Sequence, residues 1–443
     1  MTTLLISATV LYFLISLKYR KLGLYILLWL LPLYVVRFSI GPIPTTWLEV
    51  MAGISILLWL YDLARRKYMN QLKENLKALP WYFYAALGVF LVGATISVFM
   101  AVDIQKAAGL WKAFYIEPVL LFFVFLTRFE NRHHWHQAIV ALAFSAIVVS
   151  ALAIFQKFTG WMIINPFWQA EETRRVTSIF GFPNGLGLYL APLMPLFVGE
   201  WVRLIKKGLR GAHDKLPMSR LLGTFLIKTS TMDSFMLAVY TAAVITSVLA
   251  VWWARSTGAL IAMAGVALVT LVYYKALRWY MVALTLVGVI GLLLLPVHNP
   301  VRQELLFQDL SGKIRLSMWA ETVEFLRDHP LRGAGMASYQ QRIATYHRMP
   351  VEIYHHPHNI ILNFWAETGI VGLLGFLGIL ASFLIIAKKR LVRFTPNRAF
   401  AFYAMAALLV IFIHGMVDTP YIKNDLSIMF WFVIAMGVSA HKT

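Results

Sequence analysis

The chain has 443 residues, 60% of them hydrophobic and only 14% charged, with a formal net charge of +20. So low a charged fraction excludes a soluble globular protein, where about a quarter of the residues are charged. The absence of cysteine excludes disulfides and a thiolate metal centre.

Thirteen apolar segments are predicted in chain order, at approximately residues 2–17, 22–38, 46–63, 81–101, 111–127, 136–156, 184–202, 234–253, 257–274, 279–296, 359–387, 399–418 and 426–440. Most approach the ~20 residues that a bilayer helix needs. They are solid runs, without the alternation of an outer-membrane barrel. The first is short, and the basic cluster at 18–21 follows it rather than preceding it, so it is not read as a cleavable signal peptide. The expected fold is therefore an all-α polytopic membrane protein with twelve or thirteen transmembrane helices. It forms a single transmembrane domain over 1–443, with one large, partly helical loop at 297–357 inserted in it. Within that loop an amphipathic helix is expected from Ser311 to Pro330, with Leu316, Trp319, Val323 and Leu326 on its apolar side.

The positive charge has an ordering. With the twelve connections numbered in turn, the odd ones and the C-terminal tail hold 25 of the 40 Lys and Arg. The even side holds 15, seven of them in 297–357, a loop long enough to escape the charge rule. The odd connections and the C-terminus are thus expected in the cytoplasm and the even ones on the far side. This bias accounts for the basic charge without a nucleic-acid partner. No internal repeat is evident.

Three polar stretches fall in even connections. The first, at 174–190, begins with Arg174 and Arg175 and passes through Phe182-Pro183-Asn184-Gly185 into an apolar run. Asn184 reads as a helix cap. The second is the tight apolar hairpin around Arg255. The third is Tyr354-His355-His356-Pro357-His358-Asn359, followed by a helix with Asn359, Asn363 and Glu367 on one face. Each stretch has a plain alternative. A helix-end arginine snorkels to lipid phosphate. The histidines could hold a metal, although their spacing matches no strong ligand pattern. Glu367 could be a buried structural carboxylate.

Gly369, Gly372, Gly375 and Gly378 recur every three residues and predict a surface for close helix contact. The helix starting at Asn359 offers free N–H groups and a positive dipole end to an anion. Arginines suit a phosphate through paired, charge-assisted hydrogen bonds, and a histidine suits proton transfer near neutral pH. The converging groups predict a site for a phosphate-bearing lipid on one membrane face.

His358-Asn359, nine residues, then Gly369-Ile370-Val371-Gly372 resembles the signature of the O-antigen ligase and O-antigen polymerase superfamily. The Arg175…Pro183-Asn184 segment is similar to the family's Arg…Phe…Pro-Asn segment. Arg255-Ser256 resembles its Ser-Arg-Gly-type segment with the order changed. Residues 314–339 resemble the Arg…Trp…His-Pro-Leu…Gly-x-Gly run of its large periplasmic loop. The resemblance spans roughly 175–378.

It implies a GT-C-like glycosyltransferase of the Gram-negative inner membrane, with its active site on the periplasmic side and no metal or other cofactor. The donor would be O-antigen linked to undecaprenyl diphosphate, and the acceptor a sugar hydroxyl of lipid A–core, in a setting of membrane lipids. Arg175 and Arg255 match the family's diphosphate-binding arginines, and His358 matches its proposed base. Arg174, Arg37, Asn184, Asn359, Arg315 and Arg332 are candidate contacts to diphosphate or acceptor. An O-antigen polymerase or a protein O-glycosyltransferase shares this chemistry. A lipid-linked sugar transporter is the rival of a different class, although such transporters often show repeats and midplane helix breaks.

Overall fold

The computed structural model describes residues 2–41, 43–213, 231–273, 277–392 and 398–439. The C-terminal tail and the middle of the seventh connection lie outside the described residues. In chain order the helices are α1 (Thr2–Lys18), α2 (Arg20–Trp29), α3 (Trp47–Ala64), α4 (Met69–Ala78), α5 (Trp81–Phe99), α6 (Ile104–Trp111), α7 (Glu117–Arg128), α8 (Arg132–Thr159), α9 (Pro166–Gln169) and α10 (Pro183–Leu190). Then come α11 (Met194–His213), α12 (Thr231–Trp253), α13 (Thr257–Tyr273), α14 (Arg278–Leu294), α15 (Pro300–Leu305), α16 (Leu310–Asp328), α17 (Tyr339–Ile343), α18 (Ile360–Val392), α19 (Arg398–Gly415) and α20 (Asn424–Val438). Among the described residues the only sheet is a hairpin of β1 (Arg37–Ile40) and β2 (Ile43–Thr46), with Arg37 opposite Thr46.

All thirteen apolar segments carry helix, and eight of the described helices are long and apolar enough to cross a bilayer. The protein is an integral membrane protein. Its outer surface supports this: α14 buries no residue and exposes Leu284, Val287 and Leu294. Such a surface is stable only where apolar atoms meet lipid.

Three boundaries differ from expectation. The second segment does not run to 38, because α2 ends at Trp29 and a 3-10 turn carrying Pro32 leads into the hairpin. The fourth connection is helical: α6 continues through a π-helical turn, Lys112–Ile116, into α7. The loop helix α16 begins at Leu310, one residue before the expected start, because the Asp309 side chain accepts the Gly312 N–H.

Asp62, at the end of α3, pairs with Arg20 of the first connection at 3.0 Å and with Arg128, which ends α7, at 2.5 Å. Residues of even connections meet at the candidate site.

α18 packs along α5 as its glycine spacing predicts. A Cβ on Gly375 would lie 2.2 Å from the Phe90 nitrogen, and one on Gly93 would lie 2.3 Å from the Gly372 nitrogen. Gly369, however, breaks the helix, with φ +66° and ψ −178°. The 331–334 loop docks on the break and replaces the lost helical bond. The Ile370 N–H donates to Leu331 O at 3.2 Å, and the Ala366 carbonyl accepts from the Ala334 N–H at 2.7 Å. Every freed group in that turn would otherwise be a buried orphan. The same docking sets the Ala337 N–H 2.8 Å from Glu367 Oε2.

Only glycine adopts this backbone at low cost, and a Cβ on Gly369 would sit 2.3 Å from Leu331 O. Gly369→Ala is therefore expected to destabilise the protein by about 1–3 kcal/mol or more. The readout is the thermal midpoint in detergent, and an unchanged midpoint would contradict the docking account.

Candidate active site

His358 ends the even-side loop before α18 and holds a left-handed backbone, φ +48°. Its Nδ1 lies 3.2 Å from Oδ1 of Asp418, in the turn between α19 and α20. A carboxylate only accepts, so Nδ1 carries the hydrogen and Nε2 is left as the basic nitrogen. Nε2 bonds to no described residue, and the ring is about one-fifth exposed (22%). Burial opposes the charge on Asp418, but the hydrogen bond from His358 and the surrounding imidazoles outweigh it. The carboxyl is held well below the usual carboxylate range. Its oxygens also accept from the Thr419 N–H at 2.9 Å and from Asn184 Nδ2 at 3.1 Å.

Asn184 is thus a bridge rather than a helix cap. Pro183 occupies the first helical position, and Phe182 stands at the cap without a side-chain bond. The other end of Asn184, Oδ1, lies 3.4 Å from Arg175 Nη2. Arg175 also donates to the carbonyls of Ala254 at 2.9 Å and Arg255 at 3.1 Å. The α12–α13 hairpin is so tight that Arg255 takes φ +49°, and Arg175 satisfies the carbonyls that this turn exposes. The Arg255 side chain is exposed and bonds to no described residue.

The three polar stretches are therefore joined, His358 to Asp418 to Asn184 to Arg175 and the Arg255 turn. Arg315 comes in from α16, where its Nε donates to Val417 O at 3.2 Å. Burial pushes the Arg175 pKa down, Glu304 opposes this, and the charges of Arg255 and Arg315 push it further. Clustered guanidiniums that disfavour one another's charge await an anion.

The family model described as O-antigen ligase matches residues 242–377. Over this stretch the chain is similar to the O-antigen ligase family. No curated protein matches the chain. The matched stretch holds Arg255, the whole of the 297–357 loop, His358 and the Gly369–Gly372 pair, while Arg175, Asn184 and Asp418 lie outside it. The match supports a glycosyltransferase-type membrane enzyme in general.

Not every candidate joins this site. Asn359 Oδ1 accepts the N–H groups of Ile361 at 3.0 Å and Leu362 at 3.1 Å, and Nδ2 donates to Met416 O. The helix end caps itself, so the free N–H groups expected there for an anion are already used. Arg174 donates to the carbonyls of Lys157 and Gln169, both at 3.1 Å, and so ties the 157–174 loop. Arg332 is exposed beside the Gly369 break, with only a long contact to His329 at 3.5 Å. Arg37 begins the β-hairpin, exposed, and acts on Lys423 through its charge.

The short 416–423 turn was not read as functional from sequence, yet it supplies Asp418, Thr419 and Lys423. Lys423 Nζ is buried with no hydrogen-bond partner among the described residues and stands 3.8 Å from the Phe182 ring centre. Burial pushes its pKa down, Asp425 and Asp418 oppose this, and Arg37 adds to it. One signal was available: the turn is an even connection, and it carries an Asp and a Lys between two apolar runs.

His356 packs edge-on to His358, ring centres 4.5 Å apart, and burial followed by the His358 charge pushes its pKa down to about 3. The ligand atoms of His356, His358 and Asp418 lie within 4.8 Å of one another and could also grip a cation. Sequence spacing could not reveal this, because Asp418 comes from a different connection.

Asp418→Asn leaves the shape but can present a donor to Nδ1 and favour the wrong tautomer. Transfer is expected to fall about 10²-fold or more, the scale of one acid–base group, with the donor KM unchanged. Initial rates on purified protein check this, and a wild-type rate would remove Asp418 from the account.

Proposed function

We propose that the protein is an O-antigen ligase. It transfers O-antigen glycan from undecaprenyl diphosphate to a sugar hydroxyl of lipid A–core at the periplasmic face of a Gram-negative inner membrane. The observation that carries this reading is the hydrogen-bonded chain from a free His358 Nε2 to the arginine cluster. It pairs a base with an anion site a few side chains away, across three connections.

In the proposed step, the acceptor hydroxyl oxygen attacks the anomeric carbon while the bond from that carbon to the diphosphate oxygen breaks. The hydroxyl proton passes to His358 Nε2. Undecaprenyl diphosphate leaves with its new charge facing Arg175, Arg255 and Arg315, where fixed cations in a low-dielectric site are most effective. Asp418 stabilises the imidazolium that forms. A single displacement inverts the anomeric centre. The diphosphate is already a good leaving group, so neither ATP nor metal is required. Twelve or thirteen helices form one transmembrane domain with the C-terminus in the cytoplasm, and the 297–357 loop covers the site. Within that loop Arg342 donates to Met100 O at 2.8 Å and Arg348 pairs with Glu324, while the charge of Arg315 reaches Arg175.

Acceptor choice tests this reading. Purified protein with the lipid-linked glycan is offered either lipid A–core or more of the same glycan, with EDTA present. A ligase upshifts lipid A–core on a gel. Elongation of the lipid-linked glycan alone would make the protein a polymerase, and movement across vesicles without a covalent product would make it a transporter.

A further inference from the structure

Glu367 is a carboxylate that the transfer step does not use. It is buried in α18, and only Oε2 is engaged, by the Ala337 N–H at 2.8 Å. Oε1 has no partner among the described residues. The side chain lines a cavity of about 210 Å³, together with Lys106, Phe114, Tyr115, Gln340 and His356. That is more than ten times the ~10–15 Å³ that one water needs. Lys106 and His355 are exposed, so the cavity opens to the surface. Gln340 Nε2 is spent on Ile353 O at 2.6 Å, which leaves its carbonyl oxygen unpartnered among the described residues.

The lining thus combines two acceptor oxygens with two aromatic side chains, Phe114 and Tyr115. A lipid tail would leave the buried carboxylate unpaired, at a cost of several kcal/mol. A saccharide ring offers hydroxyl donors at its rim and C–H faces to the aromatics. None of the arginines of the anion site lines this cavity, whereas His356, packed on His358, does. We propose that the cavity is a saccharide subsite in which Glu367 accepts hydrogen bonds from sugar hydroxyls, and that the sugar it holds belongs to the acceptor. The assignment to the acceptor rests on the ligase reading; the saccharide chemistry does not.

The test uses the full chain in detergent and Glu367→Gln, which keeps an oxygen for the Ala337 N–H. Binding of delipidated core oligosaccharide is measured calorimetrically without donor, and initial rates are measured against each substrate. A hydrogen bond to a charged group corresponds to roughly tenfold or more in affinity. The expected result is at least a tenfold loss of core-oligosaccharide binding and a matching rise in acceptor KM, with donor KM within about twofold. If O-antigen oligosaccharide binds instead and donor KM moves, the saccharide subsite stands and its sugar is the donor's. If neither oligosaccharide binds, or both bind wild type and variant alike, the inference is overturned. A wild-type protein that binds core oligosaccharide in a Glu367-dependent way but transfers nothing would overturn the ligase reading alone. Leu110→Trp, which fills the cavity from α6, must reproduce the loss; full binding in that variant would also overturn it.

Discussion

His358→Ala is expected to lower glycan transfer about 10²–10⁴-fold, the range associated with one positioned proton acceptor. The protein should still fold and insert. The ring is partly exposed, and its loss leaves Asp418 with two of its partners, the Thr419 N–H and Asn184. Donor binding should persist, because the arginines proposed to face the diphosphate hold their positions without His358. Arg175 is braced by the carbonyls of Ala254 and Arg255, and Arg315 by Val417 O. The loss should therefore appear in kcat and not in donor KM. Full activity in this variant would remove His358 from the chemistry.

Arg255→Ala is expected to cost about 10²–10³-fold, the scale of one preorganised group that stabilises developing charge. This is the cleaner of the two arginine tests. The Arg255 side chain bonds to no described residue, so its removal breaks no hydrogen bond among them, while Arg175→Ala would also free the hairpin carbonyls. Arg174→Ala is the control. Its partners are the carbonyls of Lys157 and Gln169, and its effect on transfer should stay within a few-fold. Rates on purified variants of equal thermal midpoint decide the matter. Equal losses for Arg174 and Arg255 would mean that general surface charge matters and the geometry does not.

The helices were legible because composition dictates them: a long apolar run in lipid must satisfy its backbone internally, and all thirteen runs carry helix over part or all of their length. The three site stretches were read as neighbours from parity, and hydrogen bonds through Asp418 and Asn184 join them. Pairings that depend on distant chain were not legible. Gly369 read as the first of four contact glycines, but it is the break on which the 331–334 loop lands. Nothing local to α18 announces that loop. Asn184 read as a cap because Asn often is one, but Pro183 had taken the first helical position and freed it to bridge. Asp418 was missed because its partner is 60 residues away in sequence, in a turn whose composition suggests only a connection.

The central claim is covalent transfer from a lipid diphosphate, and one mass measurement addresses it. Wild-type protein and His358→Ala are incubated in vesicles with undecaprenyl-diphosphate-linked O-antigen and lipid A–core, with EDTA and without ATP, and the lipid A–core is weighed by mass spectrometry. Lipid A–core incubated with wild type is expected to gain the mass of the glycan, and with the variant to gain none at the same time point. Unchanged lipid A–core with wild type, in vesicles where a known ligase works, would contradict it.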